Sequence, residues 1–239
     1  MNTWEWTSRT ALLIGKEKLD KLHAARVMVV GLGGVGSFAA EFLCRAGVGA
    51  MTIIDGDSVD ATNKNRQLPA LDSTVGQGKA ALMAVRMQDI SPALSLKVIP
   101  HFQEPEDMVR LLEEGYDYVL DCIDSLQPKI RLIASCQAAG ASFISAMGAG
   151  GRINPEYVRV VPLFQTNNCP FAQQVRKILR RQGLKTDFPV VFSNEPTIPG
   201  SMEKTDGTRY KKSYYGTISY MPALFGLQMA AHVVREIIK

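Results

Sequence analysis

The segment IIDGDSVDATNKNRQ, residues 53–67, places an acid at the end of an apolar run and an arginine shortly after it. Asp55 at a strand end can accept hydrogen bonds from ribose hydroxyls, which suits a dinucleotide and a nucleoside triphosphate equally. Arg66 and Lys79 are the residues that distinguish between these two kinds of ligand. A dinucleotide has its pyrophosphate neutralised at a glycine loop, whereas a triphosphate needs further cations because charge builds on the departing pyrophosphate. The two cations therefore favour a triphosphate.

A glycine-rich segment, GLGGVG, occupies residues 31–36 between an apolar β-branched run and a stretch with helical apolar spacing. Glycines allow a tight turn and a close approach of the backbone, and the N-terminus of the following helix offers free N–H groups to a phosphate. Proteins that bind NAD, FAD or ATP all use this motif. It predicts a nucleotide phosphate site without identifying the nucleotide.

Two acids, Asp121 and Asp124, stand in the segment DCIDS after another apolar run. Mg²⁺ prefers oxygen ligands and usually takes one or two protein carboxylates together with phosphate oxygens. We assign the metal to Asp124 and expect Asp121 to lie behind it without binding the metal directly. The alternative for one of the pair is a cap on the next helix.

Short β-branched runs alternate with helical stretches from residue 26 onward. The predicted strands are residues 26–30, 51–55, 96–99, 118–121 and 142–146, and the predicted helices are residues 34–46, 75–90, 104–114 and 128–139. This alternation predicts an α/β protein with a doubly wound, mostly parallel, Rossmann-like sheet. Ligands of such sheets bind beyond the carboxyl ends of the strands, where Gly31, Asp55, Asp121 and Asp124 stand.

The pattern changes after residue 151. We predict a strand at residues 157–163, a basic amphipathic helix at 169–182, a short strand at 190–192, and a long polar stretch without apolar periodicity at 194–216. A helix at residues 223–238 is too short and too charged to span a membrane. We interpret residues 1–239 as a single domain, with a nucleotide-binding core at 1–151 and a basic C-terminal part at 152–239.

Charge is divided unevenly along the chain. Residues 1–150 hold 14 Lys and Arg against 17 Asp and Glu, whereas residues 151–239 hold 13 against 6. This asymmetry favours a polyanionic partner at the C-terminal part, with a solvated basic surface as the alternative. The candidate cations are Arg176, Lys177, Arg180, Arg181, Lys185, Arg209, Lys211 and Lys212. Interleaved tyrosines at 210, 214 and 215 suit RNA, where phosphates and unstacked bases are held together, although tyrosines more commonly have core roles.

The four cysteines, Cys44, Cys122, Cys136 and Cys169, lie far apart and form no CxxC pair, which argues against structural zinc and against a disulfide framework. The absence of a secretion signal predicts a cytoplasmic protein. We expect Cys169 to be a small buried apolar residue at a helix start. A reactive thiol near Arg176 is the alternative.

In combination, GxGGxG, Asp55, NxNRQ, Lys79 and DxxD resemble the ThiF/MoeB/HesA family, bacterial relatives of the ubiquitin-activating enzymes, which adenylate carboxylates with ATP. The resemblance covers about residues 9–151. It implies that Asp55 binds the ribose, that Arg66 and Lys79 bind the β and γ phosphates, and that Asp124 holds Mg²⁺.

The resemblance also implies a homodimer, because Arg9 matches a family arginine that reaches into the site of the partner subunit. The other residues that it implies for ATP binding are Gly31, Gly33, Gly34, Gly36, Asp57, Asn63, Asn65 and Gln67.

Within this family, the segments DCIDSLQPKIRLIASC, GAGGRINP, CPFAQQVRKILRRQG, VVFSNEP and GTISYMPALFG resemble the branch that acts on tRNA as threonylcarbamoyladenosine dehydratases. Cys169 departs from this branch, where many members have Asp. The resemblance implies ATP-dependent cyclisation of threonylcarbamoyladenosine, next to the anticodon, through an acyl-adenylate.

Two other functions remain as alternatives. Adenylation of the C-terminus of a ubiquitin-like sulfur carrier is disfavoured because paired zinc cysteines are missing and the C-terminal part is basic. An NAD-dependent oxidoreductase or a nucleotide-sensing module would leave Arg66 and Lys79 without a role. Association with a sulfur-transfer partner protein is left open.

Overall fold

The computed structural model describes residues 4–184, 187–208 and 211–239, except for the side chains of 205–208 and 211–212. Two short helices, α1 (Ser8–Ile14) and α2 (Lys16–Ala24), precede the first strand and were not predicted. A single glycine, Gly15, with φ of 86°, separates them. The apolar spacing in this region is interrupted at that glycine, so neither helix shows a clear period.

The alternation of strands and helices predicted from residue 26 onward is confirmed. The strands are β1 (Arg26–Val30), β2 (Ala50–Ile54), β3 (Ser95–Ile99), β4 (Tyr118–Asp121), β5 (Phe143–Ala146), β6 (Val158–Pro162) and β7 (Pro189–Ser193). The helices are α3 (Gly36–Ala46), α4 (Lys79–Ile90), α5 (Pro105–Glu113), α6 (Leu126–Ala138), α7 (Pro170–Arg181) and α8 (Tyr220–Ile237). Helix α4 begins later than the predicted residue 75, because Gly76 has φ of 86°, which a right-handed helix cannot contain.

These seven strands form one sheet in the order β3-β2-β1-β4-β5-β7-β6, and only β6 runs antiparallel to its neighbour. The sheet therefore takes strands from both sides of residue 151. Val30 at the end of β1 lies beside Ile54 of β2 and Asp121 of β4. We call the joined carboxyl ends of β1, β2 and β4 the carboxyl edge.

Helices cover both faces of the sheet, which confirms the doubly wound architecture. Side chains alternate along β1: Val27 and Val29 join one buried cluster, and Met28 and Val30 join another. The first cluster takes core residues from α3, α4 and α8, and the second from α5, α6 and α7. Each face of the sheet thus has its own apolar core.

The polar stretch at residues 194–216, in which the sequence shows no apolar periodicity, is not irregular throughout. It contains a two-stranded hairpin of β8 (Met202–Thr208) and β9 (Lys211–Tyr215), which pairs only with itself. Because the ribbon lies outside the main sheet, the core of the sheet imposes no apolar alternation on it, and the sequence carries little signal for it. Across the described ranges, no helix combines the length and the apolar character needed to cross a membrane.

Candidate nucleotide site and basic surface

The glycine loop, residues 31–36, turns the chain from β1 into α3. Gly31 has φ of 91°, and a Cβ placed on it would lie 3.0 Å from the carbonyl oxygen of Cys122. A Cβ on Gly36 would collide with the carbonyl oxygen of Gly31. At Gly33, by contrast, the nearest atom would be the amide nitrogen of Gln67, at 3.7 Å. The loop is therefore closed on its inner side and open around Gly33.

Helix α8 packs directly against the same loop. A Cβ on Gly34 would lie 2.9 Å from the Pro222 side chain, and one on Gly226 would collide with the carbonyl oxygen of Val35. Close contact of this kind needs glycine on both sides. The glycines of the loop were predicted from the sequence, whereas the role of α8 in supporting the loop was not.

Asp55 follows β2 and faces the loop. Its Oδ2 accepts a hydrogen bond from the backbone N–H of Leu32 at 2.6 Å, and its Oδ1 accepts one from the N–H of Asp57 at 2.8 Å. Burial raises the pKa of the Asp55 carboxyl, although the two N–H donors act in the opposite direction. Each oxygen keeps a lone pair for another donor. The carboxylate can thus hold the glycine loop and still accept from ribose hydroxyls.

Lys79, the first residue of α4, is buried at this edge. Its Nζ lies 3.2 Å from Oδ2 of the exposed Asp57, and its backbone N–H donates to the carbonyl of Asp57 at 3.0 Å. The N–H of Val59 also bonds the carbonyl of Gln77, at 2.9 Å, so the two segments run side by side. This pairing places Lys79 beside the carboxyl edge. Asp57, predicted as an ATP ligand, is its counter-ion here.

Asn63 and Gln67 lie on the connection between β2 and α4. Asn63 is buried, and its Oδ1 accepts from the N–H of Asp60 at 3.2 Å, so this amide shapes the connection. The Oε1 of Gln67 is buried and has no hydrogen-bond partner among the described residues. The amide nitrogen of Gln67, and not this oxygen, is the atom nearest to Gly33. A buried oxygen without a donor is unfavourable, and an ordered water or a ligand hydroxyl would satisfy it.

Arg66 lies between these two residues. Its Nη1 donates to the carbonyl oxygen of Thr62 at 2.9 Å and to Oδ1 of Asn65 at 2.8 Å. The carbonyl oxygen of Arg66 itself lies beside Gly34. Its backbone therefore adjoins the glycine loop, and its guanidinium is held by neighbours on the same connection.

Asp121 takes part in a buried ion pair that the sequence analysis missed. Lys129 Nζ lies 2.6 Å from Asp121 Oδ2 and 3.0 Å from Ser145 Oγ, and that hydroxyl donates to the same carboxylate oxygen at 2.6 Å. Both charged side chains are 0% exposed. Lys129 follows Leu126 by three residues and precedes Ile133 by four, so its place on the apolar face of α6 was the available signal.

Asp124 differs from Asp121 because it is exposed. Asp121 Oδ1 accepts from the N–H of Ile123 at 3.1 Å and so shapes the turn that carries Asp124. Within the described residues, no group of three or more His, Cys, Asp and Glu side chains could hold a metal. One carboxylate completed by phosphate oxygens remains compatible with Mg²⁺.

Arg9 lies exposed on α1, outside the sheet. Two leucines on the same helix, Leu12 and Leu13, are 89% and 84% exposed. Large apolar side chains at such exposure commonly mark contact surfaces. The arginine predicted to act in a partner subunit thus stands on an exposed, partly apolar helix.

The basic cations on α7 fall into two groups. Lys177, Arg180 and Arg181 are exposed, and we call these three the basic face. Arg176 was predicted to belong with them, but its Nη1 donates to the carbonyl oxygen of Thr166 at 3.0 Å and also to the Thr166 hydroxyl. The Arg176 side chain is half-buried. Its guanidinium therefore bonds to the protein itself and is not presented to solvent as those of the basic face are.

The structure describes little of the remaining predicted RNA contacts. The side chains of Lys211 and Lys212, and all of Lys185, Arg209 and Tyr210, lie outside the described residues. The exposed Tyr214 donates its hydroxyl to Glu203, and Tyr215 packs against Gly150 and Gly151. Tyr215 therefore has the packing role that tyrosines more commonly have.

All four cysteines are free. Cys169 is buried at the start of α7, which supports a small apolar role in preference to a reactive thiol. Burial raises the pKa of the Cys44 thiol to about 11 and that of Cys136 to about 12. Burial raises the pKa of Cys122 further, with the nearby Asp121 contributing. The thiols of Cys44, Cys122 and Cys136 are therefore protonated at neutral pH.

Known proteins resemble this chain over nearly its full length. It is 39% identical over 239 residues to a tRNA threonylcarbamoyladenosine dehydratase of Bacillus subtilis (strain 168), an alignment that spans 97% of this chain and 94% of the relative. A protein of the same name from Escherichia coli (strain K12) is 42% identical over 193 residues, or 80% of this chain and 70% of the relative.

Solved structures agree with these sequence matches. The crystal structure of the E. coli tRNA N6-threonylcarbamoyladenosine dehydratase in complex with ATP superimposes with a TM-score of 0.90 at 34% identity, covering 100% of this chain and 96% of that chain. The family model named ThiF family matches residues 7–239. The glycine loop, Asp55, Arg66 and Lys79 all lie within that match, and the chain belongs to the ThiF family.

Proposed function

We propose that this protein is an ATP-dependent tRNA threonylcarbamoyladenosine dehydratase that cyclises its substrate through an acyl-adenylate. The observation that carries the proposal is the carboxyl edge, where Asp55 faces the glycine loop and Lys79 and Arg66 flank it. A relative of that name aligns with 97% of the chain, and so with most of the C-terminal part.

ATP binds with its phosphates at the glycine loop and its ribose at Asp55. Lys79 and Arg66 offset the charge that develops on the β and γ phosphates, and Lys79 leaves Asp57 to do so. Mg²⁺, held by Asp124 and phosphate oxygens, would add further charge stabilisation. An ordered water beside the nucleotide would supply the donor that the buried oxygen of Gln67 lacks among the described residues.

The reaction has two steps. A carboxylate oxygen of threonylcarbamoyladenosine attacks the α-phosphorus, the bond to the β-phosphate oxygen breaks, and pyrophosphate leaves. A nitrogen of the same substrate then attacks the acyl carbon, the bond to AMP breaks, and the nitrogen loses its proton to solvent. The protein contributes positioning and electrostatic stabilisation, and neither step needs a sulfur-transfer partner.

The basic face of α7 provides a contact surface for the tRNA phosphates. Lys177, Arg180 and Arg181 are exposed and lie in a part of the chain with a strong excess of cations. Exposed cations bind phosphates with release of counterions and little sequence preference. We place this tRNA-binding enzyme in the cytoplasm.

The active form is a homodimer in this proposal, with Arg9 of each subunit acting at the ATP site of the other. The nearly fully exposed Leu12 and Leu13 on the same helix support an interface there. Mixing an Arg9→Ala chain with an Asp124→Ala chain should restore part of the lost activity, because a mixed dimer has one intact site. Absence of recovery after verified subunit exchange would contradict the assignment.

The experiment that tests the proposed function measures AMP formation from ATP with tRNA bearing threonylcarbamoyladenosine, or with a ubiquitin-like carrier protein. We expect AMP and the cyclised nucleoside only with the tRNA. Product with the carrier alone would favour the sulfur-carrier function. Tighter calorimetric binding of NAD than of ATP would contradict both.

A second experiment tests the basic face. Replacing Lys177, Arg180 and Arg181 together by Ala should weaken tRNA binding and lower the slope of log affinity against log salt by roughly one unit per lost phosphate contact. The matched control replaces Lys16, Lys18 and Lys21, three exposed lysines of α2, and should leave the slope unchanged. ATP affinity should be unchanged in both variants.

A further inference from the structure

The side-chain amide of Asn65 connects Arg66 with a distant part of the chain. Its Oδ1 accepts from Arg66 Nη1 at 2.8 Å, and its Nδ2 donates to the carbonyl oxygen of Thr217 at 2.8 Å. Thr217 lies between the hairpin and α8. We call Gly216 and Thr217, which follow β9, the base of the hairpin. One amide therefore joins the predicted phosphate-binding arginine to this base.

The chemistry of the two partners fixes the orientation of this amide. A guanidinium only donates hydrogen bonds, and a backbone carbonyl only accepts them. The amide oxygen must therefore face Arg66, and the amide nitrogen must face Thr217. A flipped amide would place a donor against a donor and an acceptor against an acceptor, so both contacts depend on an amide at this position.

The anchor at Thr217 is itself held by several backbone hydrogen bonds. The N–H of Gly216 donates to the carbonyl of Ser201 at 2.7 Å, and the carbonyl of Gly216 accepts from Gly151 at 2.8 Å. The Thr217 hydroxyl donates to the carbonyl of Tyr215 at 3.0 Å. These bonds tie the base of the hairpin to the loop that follows β5, so the carbonyl that receives Asn65 has a fixed position.

An arginine side chain loses rotamer freedom when it is held in one geometry. A guanidinium that is already oriented before ATP arrives loses less of that freedom when it binds. The carbonyl of Thr62 and the amide of Asn65 provide this orientation through the same nitrogen, Nη1. The remaining guanidinium N–H groups can then be presented to phosphate oxygens together.

We propose that Asn65 is a positioning residue for Arg66 in the adenylation step, anchored by the base of the hairpin, and not a ligand of ATP. The proposal rests on the proposed function, because it requires Arg66 to bind ATP phosphates. It replaces the direct nucleotide contact that the family resemblance implied for Asn65. It also makes the hairpin base part of the phosphate site.

A double-mutant cycle tests the proposal. The variants are Asn65→Ala, Arg66→Ala and the double variant, and the measured quantity is kcat/KM for ATP from single-turnover AMP formation with radiolabelled ATP. We expect Asn65→Ala to lower kcat/KM roughly tenfold in the wild-type background and not at all in the Arg66→Ala background. Equal factors in both backgrounds, or no effect in either, would overturn the proposal.

The control is Gln103→Ala, which removes another amide that donates to a backbone carbonyl, that of His101, at 3.4 Å. It should leave kcat/KM unchanged, and both alanine variants should keep the thermal midpoint of the wild type. Calorimetric ATP binding by the wild type separates the two ideas. Failure of the wild type to bind ATP would contradict the proposed function, whereas ATP binding with equal factors in the cycle would contradict only the role of Asn65.

Discussion

The carboxyl edge and the basic face of α7 both depend on charged side chains, but they hold them in opposite ways. At the edge, Asp121 and Lys129 are 0% exposed and bonded to each other. On the basic face, Lys177, Arg180 and Arg181 stand in solvent. Removing one partner of a buried ion pair leaves an uncompensated charge in the interior, whereas exposed charges contribute little to stability and act mainly on a partner. Substitutions should therefore unfold the first region and only weaken binding at the second.

The largest expected effect is at the buried ion pair. Lys129→Met keeps the length of the side chain but leaves the Asp121 carboxylate buried without its cation. We expect the free energy of unfolding to fall by about 3–5 kcal/mol, measured by urea denaturation.

The double variant Asp121→Asn with Lys129→Met should recover most of that loss, because no unpaired charge then remains in the interior. An equally unstable double variant would mean that packing, and not charge, accounts for the effect. An unaffected single variant would contradict the buried pair altogether.

The next effect concerns two glycines of the same loop. Gly36→Ala should lower the free energy of unfolding by about 1–3 kcal/mol and abolish ATP binding, because the new Cβ collides with the Gly31 carbonyl. Gly33→Ala should keep wild-type stability, since its nearest neighbour would lie 3.7 Å away. Thermal denaturation and ATP calorimetry measure both. Similar stability of the two variants would show that the loop is not closed as described.

A smaller effect divides the cations of α7. Arg176→Ala should lower the free energy of unfolding by about 1 kcal/mol, because the buried Thr166 loses its donor. Arg181→Ala should leave stability unchanged and act only on tRNA affinity. Urea titrations of both variants measure this difference. Equal stabilities would mean that Arg176 belongs with the exposed cations of the basic face.

The smallest effect is expected at an ion pair whose exposure is intermediate between the buried pair and the basic face. Glu41 on α3 has a side chain 11% exposed, while those of its partners Arg45 and Arg86 are 51% and 46% exposed. Burial alone would raise the pKa of Glu41, but the hydrogen bonds and charges of the two arginines lower it overall.

A carboxyl whose folded pKa is lowered stabilises the protein above its unfolded pKa and loses that contribution as pH falls through the folded value. The stability advantage of wild type over Glu41→Gln should therefore be below about 1 kcal/mol at pH 7 and shrink below about pH 4. Urea titrations across that range would measure it. A constant difference would contradict the lowered pKa.

Regular patterns made much of the carboxyl edge predictable from the sequence. The strands that lead into Gly31 and Asp55 and the strand that ends at Asp121 are short apolar runs with turn residues after them, and parallel sheets bring such ends together. The glycine motif supplied the loop, and the combined spacing with Arg66 and Lys79 supplied the family.

The remaining features depend on contacts between residues far apart in the sequence. Helical spacing places Lys129 on the apolar face of α6, but its pairing with Asp121 and Ser145 depends on how β4 and β5 lie against that helix. The position of Arg176 depends on where Thr166 lies, and the contact of Asn65 depends on a backbone carbonyl, which no side-chain pattern records. Local periodicity cannot predict such pairings.

The packing of α8 on the glycine loop also bears on the order in which the protein matures during synthesis. Gly34 is made early, but Pro222, which lies over it, emerges from the ribosome only after nearly every other element. A nascent chain that has already built β1 to β5 still lacks the helix that closes this turn. Nucleotide binding should therefore be acquired late in translation, when α8 docks, so a partly synthesised chain would not sequester ATP.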